Sequence, residues 1–301
     1  MTKNIGKSIK TRLLNLARNE KQEYMKVLVR YLHERLLYRI SVSTYKSQFL
    51  LKGSSLLFAL DGFKARPTID IDLLGEKISN DQENLRNAFH NICSIHCEED
   101  GVTFDVDSLT LEPIAVEKKY PGTCVKMTAH LDTIVQQISV DIGFGDVVTP
   151  YPLSLDYPLL LDDVPSVELY AYSLETLIAE KFHTMVDRDE SNSRMKDFFD
   201  VYQLFTCHDI DRELLQEAIV STFKNRSTTY HDGLKLFTDE FAANPTRNIW
   251  WKAFLKKIRW KEQIEFTAVM ECIGENLQQY WNPTLYHDIG KSIRKGTNIK
   301  L

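Results

Sequence analysis

Apolar residues recur at helical spacing early in the chain, give way to strict alternation in the middle, and return to helical spacing at the end. Residues 7–48 read as two helices, one with Ile9, Leu13, Leu16 and Ala17 on a face, the other with Met25, Val29, Tyr31, Leu32, Leu36 and Leu37. Leu56, Leu57, Phe58 and Leu60 read as a helix packing on a sheet. Residues 66–73 read as a strand, with Asp70 and Asp72 on one face and Ile69, Ile71 and Leu73 on the other. Ser79-Asn80-Asp81 offers N-cap chemistry for a helix bearing Leu85, Ala88, Phe89, Ile92 and Ile95. Alternation then predicts strands over 102–107, 109–117, 123–131 and 135–142, with Tyr120-Pro121-Gly122 as a turn. Val125, Met127, Ala129 and Leu131 would share one face. In the last strand Ile138, Val140 and Ile142 face one way, Ser139 and Asp141 the other.

Residues 143–168, rich in Gly, Pro and Asp, read as a long connection and the natural domain boundary. Ser173 then caps a helix with Leu174, Leu177, Ile178, Lys181, Phe182 and Met185 on its stripe, and the next helix brings Arg194, Lys196, Asp197 and Asp200. Further helices are expected over 214–222, 230–241, 248–257 and 262–280. The pattern predicts an α+β protein: residues 1–168 a core behind an N-terminal helical arm, residues 169–301 a helical domain. The basic tail, 291–301, reads as mobile.

Composition adds limits. An apolar share of 43% with 26% charged residues is that of an ordinary globular protein. The net charge of −5 hides a basic arm, with eleven Lys or Arg against three Glu in residues 1–48. Such an arm suits a polyanionic substrate, although on charge alone a solvated helix face is the favoured reading. Five cysteines, odd in number and unevenly spaced, argue for a reducing cytosol rather than a disulfide framework. Cys93 and Cys97 lie near His90 and His96 at spacing that suggests zinc, yet the apolar repeat around them favours partly buried helix positions. No leader or bilayer-length apolar run is present, so a cytoplasmic protein without a membrane partner is expected. Gly6-Lys7-Ser8 and Gly290-Lys291-Ser292 match the end of a P-loop but lack its earlier glycine, and are chance matches.

The candidate chemistry lies at Asp70 and Asp72. Two carboxylates two residues apart on a strand repel each other unless a cation sits between them, and hard oxygen ligands suit Mg²⁺ with substrate phosphates completing its shell. Gly53-Ser54 has the composition of a turn whose N–H and hydroxyl can reach a phosphate oxygen. Gly-Ser, a spacer and Asp-x-Asp is the arrangement of a nucleotidyltransferase site. Asp141 offers a third strand-borne carboxylate, with Asp146 as runner-up in a loop. Lys181, an ammonium on an apolar stripe, either snorkels or meets an anion. Asp197 and Asp200 share a helix face and can hold Lys181 or Arg194, or bind directly. Trp250, Trp251, Phe254, Lys256, Lys257, Arg259 and Trp260 mix aromatics with bases. That mixture suits RNA stacking or a core with snorkelling lysines equally well.

Leu36-Leu37-Tyr38-Arg39-Ile40-Ser41, Phe49-Leu50-Leu51-Lys52-Gly53 and Arg66-Pro67-Thr68-Ile69-Asp70-Ile71-Asp72 resemble the AbiEii/AbiGii toxin family. Ser173-Leu174-Glu175, Ala179-Glu180-Lys181, and Arg194 with Lys196-Asp197-Phe198-Phe199-Asp200 resemble its downstream motifs. The resemblance spans about residues 8–205, with a longer spacer between Ser54 and Asp70 than compact nucleotidyltransferases have. It implies a DNA polymerase β-like core (a mixed sheet with flanking helices) completed by the helical domain, and an NTP substrate. It also implies a toxin role in a toxin–antitoxin or phage-defence pair, with a cognate antitoxin as partner. The expected reaction is Mg²⁺-dependent transfer of a nucleoside monophosphate to RNA, above all tRNA 3′ ends. Asp70, Asp72 and Asp141 would be metal ligands and catalytic groups, Gly53, Ser54 and Arg66 would hold the nucleotide, Lys181 would meet the triphosphate, and Asp197 would be functional. Rival readings are transfer to a protein or small-molecule hydroxyl, and a non-catalytic module that binds RNA or an antitoxin.

Overall fold

Strands form where side chains alternate between core and solvent, and the sheet they build carries one buried face. The computed structural model describes residues 5–114 and 122–285, in two units: Met1–Asp146 with Pro152–Tyr172, and Val147–Tyr151 with Ser173–Leu301. In the first unit α1 (Ile5–Asn19) and α2 (Tyr24–Val42) precede β1 (Phe49–Lys52), α3 (Gly53–Asp61), β2 (Asp70–Gly75) and α4 (Gln82–Cys93). Then come β3 (Val102–Ile114), β4 (Gly122–Leu131), β5 (Ile134–Phe144), β6 (Leu153–Tyr157) and β7 (Val167–Ala171). The sheet runs β3-β4-β5-β2-β1-β7-β6 and is mixed, β2 pairing parallel with β5 and β1 parallel with β7. The fold is therefore α+β, a seven-stranded mixed sheet with flanking helices. On β4, Val125, Met127, Ala129 and Leu131 are fully buried, while Cys124, Lys126, Thr128 and His130 between them are half-exposed. Helices α1, α2 and α4 contact β4, β5, β7 and β3 and one another, which accounts for the buried face.

Several elements differ from the sequence expectation. The strands expected over 102–107 and 109–117 are one strand, β3, with a register shift between Asp105 and Thr110. The Ser108 hydroxyl donates to the Asp105 carbonyl (2.6 Å) and accepts from the Thr128 N–H (2.8 Å), so the ladder continues across the bulge. Residues 66–69 of the expected strand lie outside β2, Ile69 being 78% exposed, whereas Ile71 and Leu73 are buried. Residues 143–168 hold β6 and the start of β7 instead of an unbroken connection. Val167, Leu169 and Ala171 do alternate into the core, but five residues among Pro and Asp give a weak signal. Cys93 ends α4, and Cys97 is buried beyond it. Residues 115–117, Tyr120, Pro121, Gly290-Lys291-Ser292 and the basic tail lie outside the described residues.

Three of the eleven basic residues of the arm, Arg30, Arg35 and Arg39, are internal. Arg39 is 1% exposed and forms a bidentate pair with the fully buried Asp100, its Nη2 also donating to the Val102 carbonyl at 2.8 Å. Arg35 donates to the Pro165 carbonyl at 3.0 Å and lies 2.7 Å from Glu34, a contact not aligned for a hydrogen bond. Glu34 instead accepts from the Leu160 N–H at 2.7 Å, and burial, opposed by the Arg35 charge, pushes its carboxyl up to about 7. Arg30 stacks on Phe58, 3.7 Å from the ring centroid. These arginines tie α2 to the sheet and loops of its own unit and offer no surface to a polyanion.

The second unit is helical: α5 (Leu174–Arg188), α6 (Met195–Cys207), α7 (Arg212–Asn225), α8 (Asp239–Ala243), α9 (Pro245–Ile258) and α10 (Phe266–Leu277). Ser173 caps α5 by accepting from the Thr176 N–H at 3.0 Å. The helix expected over 230–241 is mostly turns, with α8 at its end; His231-Asp232-Gly233 interrupts it. Trp251, Phe254 and Trp260 surround Phe199, and the Trp251 indole donates to the Ile264 carbonyl at 2.7 Å. Trp251, Phe254 and Trp260 thus serve the core, while Trp250, Lys256 and Lys257 are exposed.

The Arg39–Asp100 pair gives a test of this interior. Asp100→Ala leaves a guanidinium buried without its counter-charge, and chemical denaturation is expected to register a loss of about 3–5 kcal/mol. Arg39→Met with Asp100→Leu is expected to lose less than Asp100→Ala alone.

Candidate active site

The register of the sheet assembles the site. Asp72 on β2 is the neighbour of Asp141 on the parallel β5, and Asp70 is the neighbour of Ser139. Across β4, Cys124 pairs with Asp141 and Lys126 with Ser139; across β1, Lys52 pairs with Asp72. Neighbours in register point to the same face, so one lateral row reads Cys124, Asp141, Asp72, Lys52 and the next Lys126, Ser139, Asp70. All three acidic side chains therefore lie on the face opposite Ile71, Val140 and Ile142, and all three are half-exposed.

Each carboxylate has a hydrogen-bond donor beside it. Ser139 Oγ donates a short hydrogen bond to Asp70 Oδ1. The Ser54 N–H donates to Asp72 Oδ2 at 3.1 Å, which places that carboxylate at the N-terminal end of α3, where the helix dipole favours negative charge. The Cys124 thiol donates to Asp141, and burial together with that carboxylate pushes the thiol up to about 12. Among the described residues, no three His, Cys, Asp or Glu side chains gather into a ready metal cage. The three carboxylates nevertheless stand at adjacent strand positions, and oxygen donors are the type a hard divalent cation takes.

Gly53 is fixed by this arrangement. Its φ is +61°, and a Cβ there would stand 2.2 Å from Asp72 Oδ2. Ser54 is 5% exposed, and its hydroxyl accepts from Arg66 Nη2 at 2.6 Å. Arg66, itself 9% exposed, is held through its carbonyl by Arg30 at 3.3 Å. The expected turn is thus the first turn of a helix, and the Ser54 hydroxyl is engaged by Arg66 in this conformation. The Ser139 hydroxyl and Cys124 thiol were not expected as partners of the carboxylates. Their signal was the alternation of β4 and β5, legible once the register is known.

Lys181, Asp197 and Asp200 lie together in the helical unit. The Lys181 ammonium sits 3.0 Å from Asp197 Oδ1 and 2.7 Å from Asp200 Oδ2, and Arg194 Nε donates to Asp197 Oδ2 at 2.6 Å. Burial alone would raise the Asp197 carboxyl, but Lys181 and Arg194 outweigh it and hold it well below the usual carboxylate range. The lysine on the apolar stripe therefore meets anions supplied by α6.

The family described as nucleotidyl transferase AbiEii toxin, type IV TA system, has a model that matches residues 35–271. No curated protein matches the sequence. Among solved structures, JHP933 from Helicobacter pylori is similar at 13% identity and a TM-score of 0.49, over 92% of this chain and 99% of that one. A second H. pylori crystal structure, of a proposed nucleotidyltransferase, is similar at 12% identity and a TM-score of 0.47 over the same shares. Both are too distant to carry function.

Two outcomes are expected. Gly53→Ala forces a methyl group into the Asp72 carboxylate at a strained φ and lowers stability by more than about 1 kcal/mol in denaturant titration. Lys181→Met, which takes the ammonium away from two buried carboxylates, costs about 3–5 kcal/mol at neutral pH. Because the folded Asp197 carboxyl lies below its unfolded value of ~3.9, its contribution is present above that pH and is lost as pH falls further. The gap between wild-type and Lys181→Met stability should accordingly narrow on acidification through that range.

Proposed function

This chain belongs to the nucleotidyl transferase AbiEii toxin family of type IV toxin–antitoxin systems, and we propose that it moves a nucleoside monophosphate from an NTP to an acceptor hydroxyl, releasing pyrophosphate. The observation that carries the reading is the placement of Asp70, Asp72 and Asp141 on one sheet face beside the Gly53–Ser54 helix start. Asp70, Asp72 and Asp141 would hold divalent metal, Mg²⁺ by their oxygen chemistry. When bound, the ion supplies charge neutralisation at the transferred phosphate.

The protein's own groups do the rest. Asp141 takes the proton of the attacking hydroxyl as the oxygen approaches phosphorus in line with the leaving pyrophosphate. Gly53 lets the backbone pass against the Asp72 carboxylate, and Arg66 holds the Ser54 hydroxyl, which would meet the terminal phosphates. The polymerase β-like character of the core belongs to the same reading.

The acceptor we propose is RNA, with tRNA 3′ ends foremost. Transfer there would block aminoacylation and arrest growth, with phage defence as the setting and a cognate antitoxin as the restraint. This choice rests on the family; of the basic arm, Arg30, Arg35 and Arg39 are internal and lend it nothing. We assign Asp197 and Lys181 to the family's downstream motifs; a nucleotide role for Lys181 would appear as a raised NTP KM in Lys181→Arg.

Incubation with each α-labelled NTP, a divalent cation and total RNA, followed by nuclease or protease, is expected to give nuclease-sensitive label. Asp70→Ala and Asp141→Ala should lower that labelling at least about a hundredfold, as removal of a charge-stabilising group does. Label released by protease instead would move the acceptor to protein, and wild-type labelling by Asp70→Ala would end the assignment.

A further inference from the structure

Lys52 is the last residue of β1, one residue before Gly53, and its backbone neighbour in register is Asp72. A lysine at a strand end ordinarily extends into solvent. This one does not. Its side chain is 15% exposed, and its Nζ lies 2.7 Å from Asp146 Oδ2, which also accepts from the Tyr172 hydroxyl at 3.3 Å. The ammonium stands 5.4 Å from the Tyr172 ring centroid. It passes close to β5 as well: a Cβ on Gly143 would come within 3.1 Å of Nζ. A carboxylate, an aromatic ring and a missing side chain thus combine to hold one positive charge at the end of the row that contains Asp141 and Asp72.

We infer that Lys52 is the phosphate-binding cation of this unit, positioned by Asp146 and Tyr172 to receive the polyphosphate of the bound nucleotide. The inference rests on the nucleotidyltransferase reading and adds a residue to it. Three carboxylates on one face repel a polyanion, and a compact ammonium beside the Gly53 turn offsets that repulsion where the phosphates must enter. Asp146 is the ammonium's partner before the nucleotide arrives, so the charge is not left bare in a half-buried position.

The test is calorimetric titration of wild-type protein, Lys52→Met and Gly143→Ala with tripolyphosphate, each NTP and the corresponding nucleosides. Lys52→Met should weaken tripolyphosphate and all four NTPs by about tenfold or more, the loss of one charged hydrogen bond, and leave any nucleoside binding unchanged. Gly143→Ala, which crowds the ammonium without removing it, should weaken the same ligands by a smaller factor and covers the case in which Lys52→Met does not fold. A folded Lys52→Met, or failing that Gly143→Ala, that binds tripolyphosphate and NTP as tightly as wild type overturns the inference alone. Wild-type protein that binds no NTP in the presence of divalent cation overturns the nucleotidyltransferase reading beneath it.

Discussion

The pairing of Asp72 with Asp141 across two parallel strands is the constraint on which the candidate site depends. A slip of one residue in that register would send Asp141 to the buried face and bring Val140 or Ile142 to the open one. The register is held by burial: Ile71, Leu73, Val140 and Ile142 are each at most 1% exposed. Transferring any of them to water would cost on the order of 1.5–3 kcal/mol. The hydrophobic alternation that makes the sheet is therefore also what places the acidic groups, and the chemistry needs no separate positioning device at that level.

Acidic groups brought together in this way carry an electrostatic penalty, and the structure answers it with two kinds of partner. Asp100 and Asp197 are buried against guanidinium or ammonium groups, which tie them to the fold. Asp70 and Asp72 are half-exposed and receive a serine hydroxyl and a backbone N–H. A buried carboxylate with a cationic partner is committed, because removing either member strands the other. A carboxylate held by a hydroxyl or an amide can exchange that donor for an incoming cation at far lower cost. The difference separates residues that build the protein from residues that can serve a ligand, and both types share one sequence letter.

That distinction also explains what was legible beforehand. The Asp70/Asp72 face, the outward Asp141, the Ser173 cap and the shared face of Asp197 and Asp200 followed from periodicity, because each depends on spacing along one element. The cationic interior of α2 did not. Arg30, Arg35 and Arg39 look in sequence like a basic arm, and their burial depends on Phe58, Pro165 and Asp100, residues distant along the chain. Lys52 was quoted as part of a motif, but its partners Asp146 and Tyr172 come from loop and strand-end positions that alternation does not register. β6 and β7 were missed for a related reason. Five-residue strands among Pro and Asp carry too few alternations to stand out, and tertiary pairing decides them, β7 with β1 and β6 with β7.

The helix start and the acidic face meet at Gly53. A helix start ordinarily offers its free N–H groups to whatever acceptor is near, and here the acceptor is the Asp72 carboxylate, 3.1 Å from the Ser54 N–H. That contact requires the backbone to turn through a positive φ directly against the carboxylate, a path on which any Cβ collides with Oδ2. Glycine at this position is thus demanded by the acid on the neighbouring strand as much as by the turn itself. The Gly-Ser and Asp-x-Asp elements, separated in sequence by a helix, form one physical unit: the second sets the residue that the first must contain.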